Sequence, residues 1–585
     1  MPKQYNTLRR RALALVLAFC LALALYGCGA AYTPDAFDAF VAGLPTQLIS
    51  ASDSAINQLF TDKQAAGFEE ALYEWPTYSL DEYKEELAEY EELYRQLTQY
   101  DRGALTKSQQ LTYDVLESAL RDAEHDPGDE AFYYLSNNPL GQYSGVLGDL
   151  PLQFYFFELR AKEDVDTYLH LMETLPAFAA EILDFEQERQ DKGYGLCPAE
   201  IEAVDQMCED TLAADLSFLT DDFAQKLDAA VFLSDEEKQS YRAEAARLLD
   251  EGFLQAFRDV RAGLQALDVK QSGYTPLARM EGGAEYYAYL VETKGGFTDM
   301  DEYAQYLTDK TKYAFTKFLS LGQKLPQDTL DGLFDGSLQL YSSSDPNAIL
   351  QHLQQAMLAD FPAAPQVSYQ MDILPQAMQQ LMPGVGAFYM IGPLDDPNAA
   401  QHMMLSGDYV QTDFTTIAHE GYPGHMYQHV YFNSVEHPLV RDLLGFTDYS
   451  EGYANYVQRL SAQYADDPEA AQLYEAYDEY LYFLLLQFDY MAHYQGENTL
   501  PLIAQALGLS EEDALPVYEQ LLFSPGVFIA YYVAGAQFDD LRAEVESALG
   551  DSFDPVAFHE SILKNGPMPL GLMKQYVRAD LLGAV

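Results

Sequence analysis

The chain has 585 residues, and 33 basic against 92 acidic side chains give it a net charge of −59. Charge of that sign repels nucleic acid and anionic headgroups over the whole surface, which excludes nucleic-acid binding as the function. Acidity this strong accompanies disorder only where apolar content is low, and here 48% of residues are hydrophobic, with 45 Tyr and 32 Phe, enough for a large folded core.

The chain opens with Lys3, Arg9, Arg10 and Arg11, then a mostly apolar stretch over residues 12 to 26 that is too short to span a bilayer comfortably, then Gly27-Cys28. This arrangement resembles a bacterial lipoprotein signal. Residues 1–27 are expected to be removed as a signal peptide and Cys28 to carry the lipid. The protein is then exported and tethered to the outer side of the cell membrane, with no other membrane contact. Cys20 lies in the apolar stretch, so Cys197 and Cys208 remain, either as one local disulfide or as two buried thiols. No Cys-x-x-Cys spacing suggests a cysteine metal site.

After the leader the chain reads as mainly helical. Residues 80 to 100 place Tyr and Leu at three- and four-residue steps among acids, the pattern of an amphipathic surface helix. Residues 164 to 190, 200 to 230, 234 to 266, 300 to 322 and 468 to 494 follow the same rule. Residues 364 to 394 do not: V-S-Y-Q-M-D-I and G-A-F-Y-M-I-G-P are short, aromatic or branched, and bounded by Pro and Gly, and they read as strands or extended loops. The expected organisation is an N-terminal helical half (31–270) and a C-terminal half (271–585) that carries the motifs, together forming one cleft.

Histidine is scarce, ten in all, yet His402, His419, His425, His429 and His437 fall close together. Within this stretch H-E-G-Y-P-G-H sets His419 beside Glu420. A zinc hydrolase needs such a pair, one residue to hold the metal and a neighbouring carboxylate to take a proton from water. The second histidine is six positions on, where a straight helix at about 100° per residue would place it roughly 120° out of register. Pro423 has no N–H to donate to the carbonyl of His419, and Gly424 tolerates unusual dihedrals, so the helix is expected to bulge or break there and return His425 to the metal. A second pairing, His425 with His429, shares a helical face but lacks an adjacent base. Glu451 in D-Y-S-E-G-Y-A-N-Y is the candidate third ligand.

These motifs, taken in order, resemble a known family. H-E-G-Y-P-G-H followed by Gln428, then E-G-Y-A-N-Y, Y-Y-V-A-G with Leu541-Arg542, and F-H-E-S-I-L-K-N-G-P-M-P-L look like the bacterial family called domain of unknown function 885. The resemblance covers most of residues 40 to 580, including G-G-A-E-Y-Y at 282 to 287. It implies a mainly α fold similar to the thermolysin-type zinc peptidases, in the helical cleft architecture of thimet oligopeptidase and carboxypeptidase Taq, with a small β element near the active site. It further implies one Zn²⁺ per chain held by His419, His425 and Glu451, with Glu420 as general base. Tyr532, three before Gly535, and His559 are implied as polar groups for the oxyanion. Tyr453 stands where the family usually has Trp, which alters the pocket but no proposed ligand.

The function expected is zinc-dependent hydrolysis of short peptides. The extended segment around Tyr389 is expected to pair with the substrate backbone, and Arg542 to hold a peptide carboxylate. Two alternatives stay open: a zinc hydrolase of non-peptide amides or esters, and a lipoprotein that binds peptide or metal without turnover.

Overall fold

The computed structural model describes residues 32–124, 127–143, 145–382, 385–407 and 413–583, so the leader and Cys28 lie outside the described residues. The chain is mainly helical, with one three-stranded sheet. The periodic stretches form helices close to the expected bounds: Leu80–Leu97, Lys162–Lys192, Pro198–Ala213, Ser217–Ala229, Met300–Gly322 and Pro468–His493. Among the described residues, no helix is long and apolar enough to cross a membrane.

The helix Lys162–Lys192 organises the N-terminal core. Its start is fixed by the Asp164 carboxylate, which accepts the N–H groups of Arg160 and Ala161 at 2.9 Å each, and its end by Gly193 in the left-handed region. Val165, Tyr168, Leu175 and Ile182 on its inner face pack with Phe253, Phe257 and Val260. That core runs from Ile56 to Leu264, but the first helices also close onto the C-terminal half. Phe37 and Val440 share one apolar cluster, and the Tyr576 hydroxyl donates to Asp114 at 2.6 Å. Cys197 and Cys208 are both free and buried.

In the C-terminal half the sheet has the order β1-β3-β2, with β1 (Tyr369–Ile373) parallel and β2 (Ala387–Met390) antiparallel to the central β3 (Gln401–Leu405). Being central, β3 buries both faces: Met403 joins the large C-terminal core, and Met404 joins Leu374 and Met378 on the other side. β2 keeps one edge open.

Two helices cross closely beside this sheet. The helix Thr447–Ser461 meets Ala534–Leu549 through Gly452, where an added Cβ would lie 2.6 Å from the Cβ of Ala534. Only a residue without a side chain permits that approach, which seats the neighbouring Glu451 against the following elements. Gly452→Val should therefore destabilise the protein by about 1–3 kcal/mol through overpacking, seen as a lowered denaturation midpoint. Gly571→Ala, at a helical glycine with open space around it, should be neutral or slightly stabilising in the same assay.

Candidate metal centre

The segment between the two histidines leaves helical geometry as its chemistry requires. One helix runs Asp413–Glu420 and the next His425–Asn433, with the Tyr422–Pro423 bond in the cis form between them. The turn is held by long-loop hydrogen bonds: Gly424 N–H donates to the Ala418 carbonyl at 2.9 Å, and Tyr427 N–H to the Gly421 carbonyl at 3.1 Å. Gly424 is required here, since a Cβ would fall 1.7 Å from the His419 carbonyl oxygen. The expected interruption is thus a full break between two helices. It brings the His419 and His425 rings to a centroid separation of 4.8 Å, nearly perpendicular.

Glu451 arrives from the helix Thr447–Ser461. Its Oε2 lies 3.4 Å from His419 Nε2 and 3.2 Å from His425 Nε2, and it accepts no well-directed hydrogen bond although buried. Burial alone would raise the Glu451 carboxyl, but the two imidazoles outweigh it and hold the group well below the usual carboxylate range. Burial depresses His425 in turn, and the Glu451 and Glu420 carboxylates more than offset that, so its net shift is upward. Two imidazole nitrogens meeting a carboxylate oxygen within 3.4 Å form a donor set of the kind that suits zinc.

Glu420 also comes near: its carboxylate and one nitrogen of each histidine lie within 4.8 Å of one another. Its Oε2, however, accepts the Tyr389 backbone N–H at 2.9 Å. One carboxylate is therefore held by the open edge of β2, beside the cluster, while the other faces both imidazoles. This division suits Glu420 to proton transfer and Glu451 to ligation.

Gln458, which sequence reasoning missed, orients the site. Seven residues after Glu451, it lies about 20° from it around the helix, so both side chains reach His419. Its Oε1 accepts from His419 Nδ1 at 3.1 Å, leaving Nε2 to face Glu451, and its Nε2 donates toward Glu475 at 3.4 Å. Burial raises the Glu475 carboxyl to about 8, with Asp478 adding to it, so this group is protonated near neutrality.

Tyrosine placement corrects another expectation. Ile529–Val533 is π-helical, and the extra residue per turn shifts the register of Y-Y-V-A-G. Tyr532 consequently turns away: its hydroxyl donates to Asp478 at 2.9 Å and its ring stacks on Tyr482 at 4.0 Å. Tyr531 is the one that fronts the site, its ring parallel to His419 at 6.5 Å. Burial, followed by Glu451 and Glu420, pushes the Tyr531 hydroxyl upward, so it stays a proton donor at any ordinary pH.

His559 is likewise a core residue. It is fully buried, Nε2 accepts from the Tyr456 hydroxyl at 2.8 Å, Nδ1 donates to the Asp360 carbonyl at 2.7 Å, and the ring stacks on Phe361 at 3.9 Å. Burial drives its pKa down to about 3, so it is neutral. Tyr456 is five residues from Glu451, about 140° around the helix, which places His559 on another face from the His419–His425–Glu451 cluster. Arg542 hydrogen-bonds the same Tyr456 and lies 5.9 Å over the Phe553 ring, with no ion pair among the described residues. Its expected contact with a peptide carboxylate at the cluster is therefore not supported by its position. His429 Nε2 is engaged by Asn433 Nδ2 at 2.9 Å. The Tyr389 side chain is committed as well, its hydroxyl bonded to Gln401, so only its backbone serves the site.

The family described as "Bacterial protein of unknown function (DUF885)" matches residues 61–577. No curated protein is significantly similar to the chain. Two solved structures share its fold. A provisionally assigned lipoprotein from Colwellia psychrerythraea is 17% identical with a TM-score of 0.78, over 94% of this chain and 100% of that one. A lipoprotein of unknown function from Shewanella oneidensis is 16% identical with a TM-score of 0.63, over 93% of this chain and 99% of that one.

Replacing Gln458 by Leu should leave the fold intact and weaken zinc binding about 10- to 100-fold by freeing the His419 ring. Competition with a chromophoric chelator measures this directly.

Proposed function

We propose that this chain, which belongs to the bacterial DUF885 family, is a zinc-dependent hydrolase that cleaves short peptides outside the cytoplasm. The observation that carries the reading is the convergence of His419, His425 and Glu451 on one point, with Glu420 beside it on a strand edge. His419 and His425 through Nε2, and Glu451 through Oε2, would hold the ion. Zinc in such a site supplies Lewis-acid activation of water and of a carbonyl oxygen.

The chain's own groups do the rest. Glu420, fixed by the Tyr389 N–H, takes the proton from the attacking water and passes it to the leaving amine. The Tyr531 hydroxyl, in place of Tyr532, donates to the oxygen on which negative charge develops. The open edge of β2 favours an extended peptide, whose backbone would add as a further strand next to Glu420. That edge is the reason to prefer a peptide over a non-peptide amide or ester. The mainly helical fold expected of the family, likened from sequence to thimet oligopeptidase, points the same way. Export and lipid attachment at Cys28 belong to the same proposal, supported by the leader sequence and by the descriptions of the two structural neighbours as lipoproteins.

Metal analysis of the purified protein should return about one zinc per chain, and a peptide-library digest should show cleavage. Glu420→Gln should abolish cleavage while keeping the metal; equal activity in both forms would remove Glu420 from the mechanism. Tyr531→Phe should lower kcat about 10²- to 10³-fold, as loss of one oxyanion donor does, whereas Tyr532→Phe should change kcat far less.

A further inference from the structure

A cavity of about 360 Å³ lies apart from the metal cluster, and none of the cluster's residues lines it. Its walls come from both halves of the chain, and their apolar part includes Leu135, Tyr286, Leu290 and Phe523. The volume is in the range of small-molecule sites.

The charged groups on its wall are not all spent. Arg189 is: it pairs with Glu186 at 2.7 Å and donates to Asn138 Oδ1 at 2.6 Å. His493 is too, since Nδ1 accepts the Leu277 N–H at 3.2 Å and Nε2 donates to the Leu521 carbonyl at 3.1 Å, which makes it neutral. Lys294 has no ion-pair or hydrogen-bond partner among the described residues, and Asp489, the carboxylate nearest in effect, is already committed to Tyr287 at 2.6 Å. Glu200 is 7% exposed and accepts a long hydrogen bond from Asn138 at 3.5 Å and another from the Gln142 backbone N–H. Burial lowers Lys294 against the charge of Asp489 and raises Glu200 to about 7 against the charge of Arg189, and neither group forms an ion pair among the described residues. One basic and one acidic side chain, neither in an ion pair among the described residues, thus line the same part-polar, part-apolar cavity.

We propose that this cavity binds a zwitterionic free amino acid or dipeptide with an apolar side chain, its α-ammonium on Glu200 and its α-carboxylate on Lys294. The ligand would give Lys294 and Glu200 each an ion-pair partner while its side chain covers the apolar part of the wall. The assignment does not depend on the metal-centre reading, because no residue is shared. A protein that releases such molecules would carry a second site for its own products.

Calorimetry on the Glu420→Gln protein tests this without consuming the ligand, using L-leucine and L-leucyl-L-leucine with their N-acetyl and C-amide derivatives. At least one zwitterion should bind saturably at one site per chain, and either cap should weaken it about tenfold or more. Lys294→Met should weaken the zwitterion and abolish the effect of amidation while keeping that of acetylation, and Glu200→Gln should do the converse. Absence of saturable binding by both zwitterions, or equal binding of the capped forms, would overturn the proposal. The capped ligands decide the question in the parent protein even where a substitution impairs folding. Absence of peptide cleavage by the unsubstituted protein, with this binding intact, would count against the hydrolase alone.

Discussion

Two imidazoles six residues apart cannot meet on a helix, and the site depends on how the chain escapes that constraint. Pro423 withholds a donor, Gly424 fits where a Cβ would collide with the His419 carbonyl, and the backbone closes through the Gly424 to Ala418 and Tyr427 to Gly421 hydrogen bonds. The break buries His425 opposite His419 and creates the gap that Glu451 enters. Everything around it reads as support for that gap. Gly452 lets the Glu451 helix approach Ala534, Gln458 fixes the His419 tautomer, and the β2 edge holds Glu420.

The surrounding electrostatics follow from the same geometry. Two imidazoles facing Glu451 hold it toward its ionised form, whereas burial pushes Glu475, behind Gln458, toward its protonated one. With Glu475 neutral, Gln458 links it to His419 without a second buried charge behind the cluster. The Tyr531 hydroxyl keeps its proton for the same reason, since burial and two nearby carboxylates all oppose phenolate formation.

The sequence revealed the parts of this arrangement governed by local rules. Amphipathic spacing located the long helices, and Pro423-Gly424 announced the interruption. The residues that depend on tertiary context were not legible. The β3 segment Q-H-M-M-L lacks alternation because a central strand buries both faces. The choice between Tyr531 and Tyr532 turned on the π-helical stretch Ile529–Val533, invisible to a 3.6-residue period. Gln458 could have been found by noting that it shares a face with Glu451, seven residues earlier. His559 sits in a conspicuous motif, yet its two nitrogens serve Tyr456 and Asp360 inside the core. Lys294 and Glu200 carry no local signal at all, as they are brought together by the packing of distant helices.

The central claim is that the broken helix, and not a single continuous one, assembles the metal site. Crystallography of the zinc-loaded protein with data on both sides of the zinc absorption edge tests it most directly. The account predicts one anomalous peak at the meeting point of His419 Nε2, His425 Nε2 and the Glu451 carboxylate. A peak elsewhere, or His425 turned away from the ion, would contradict it.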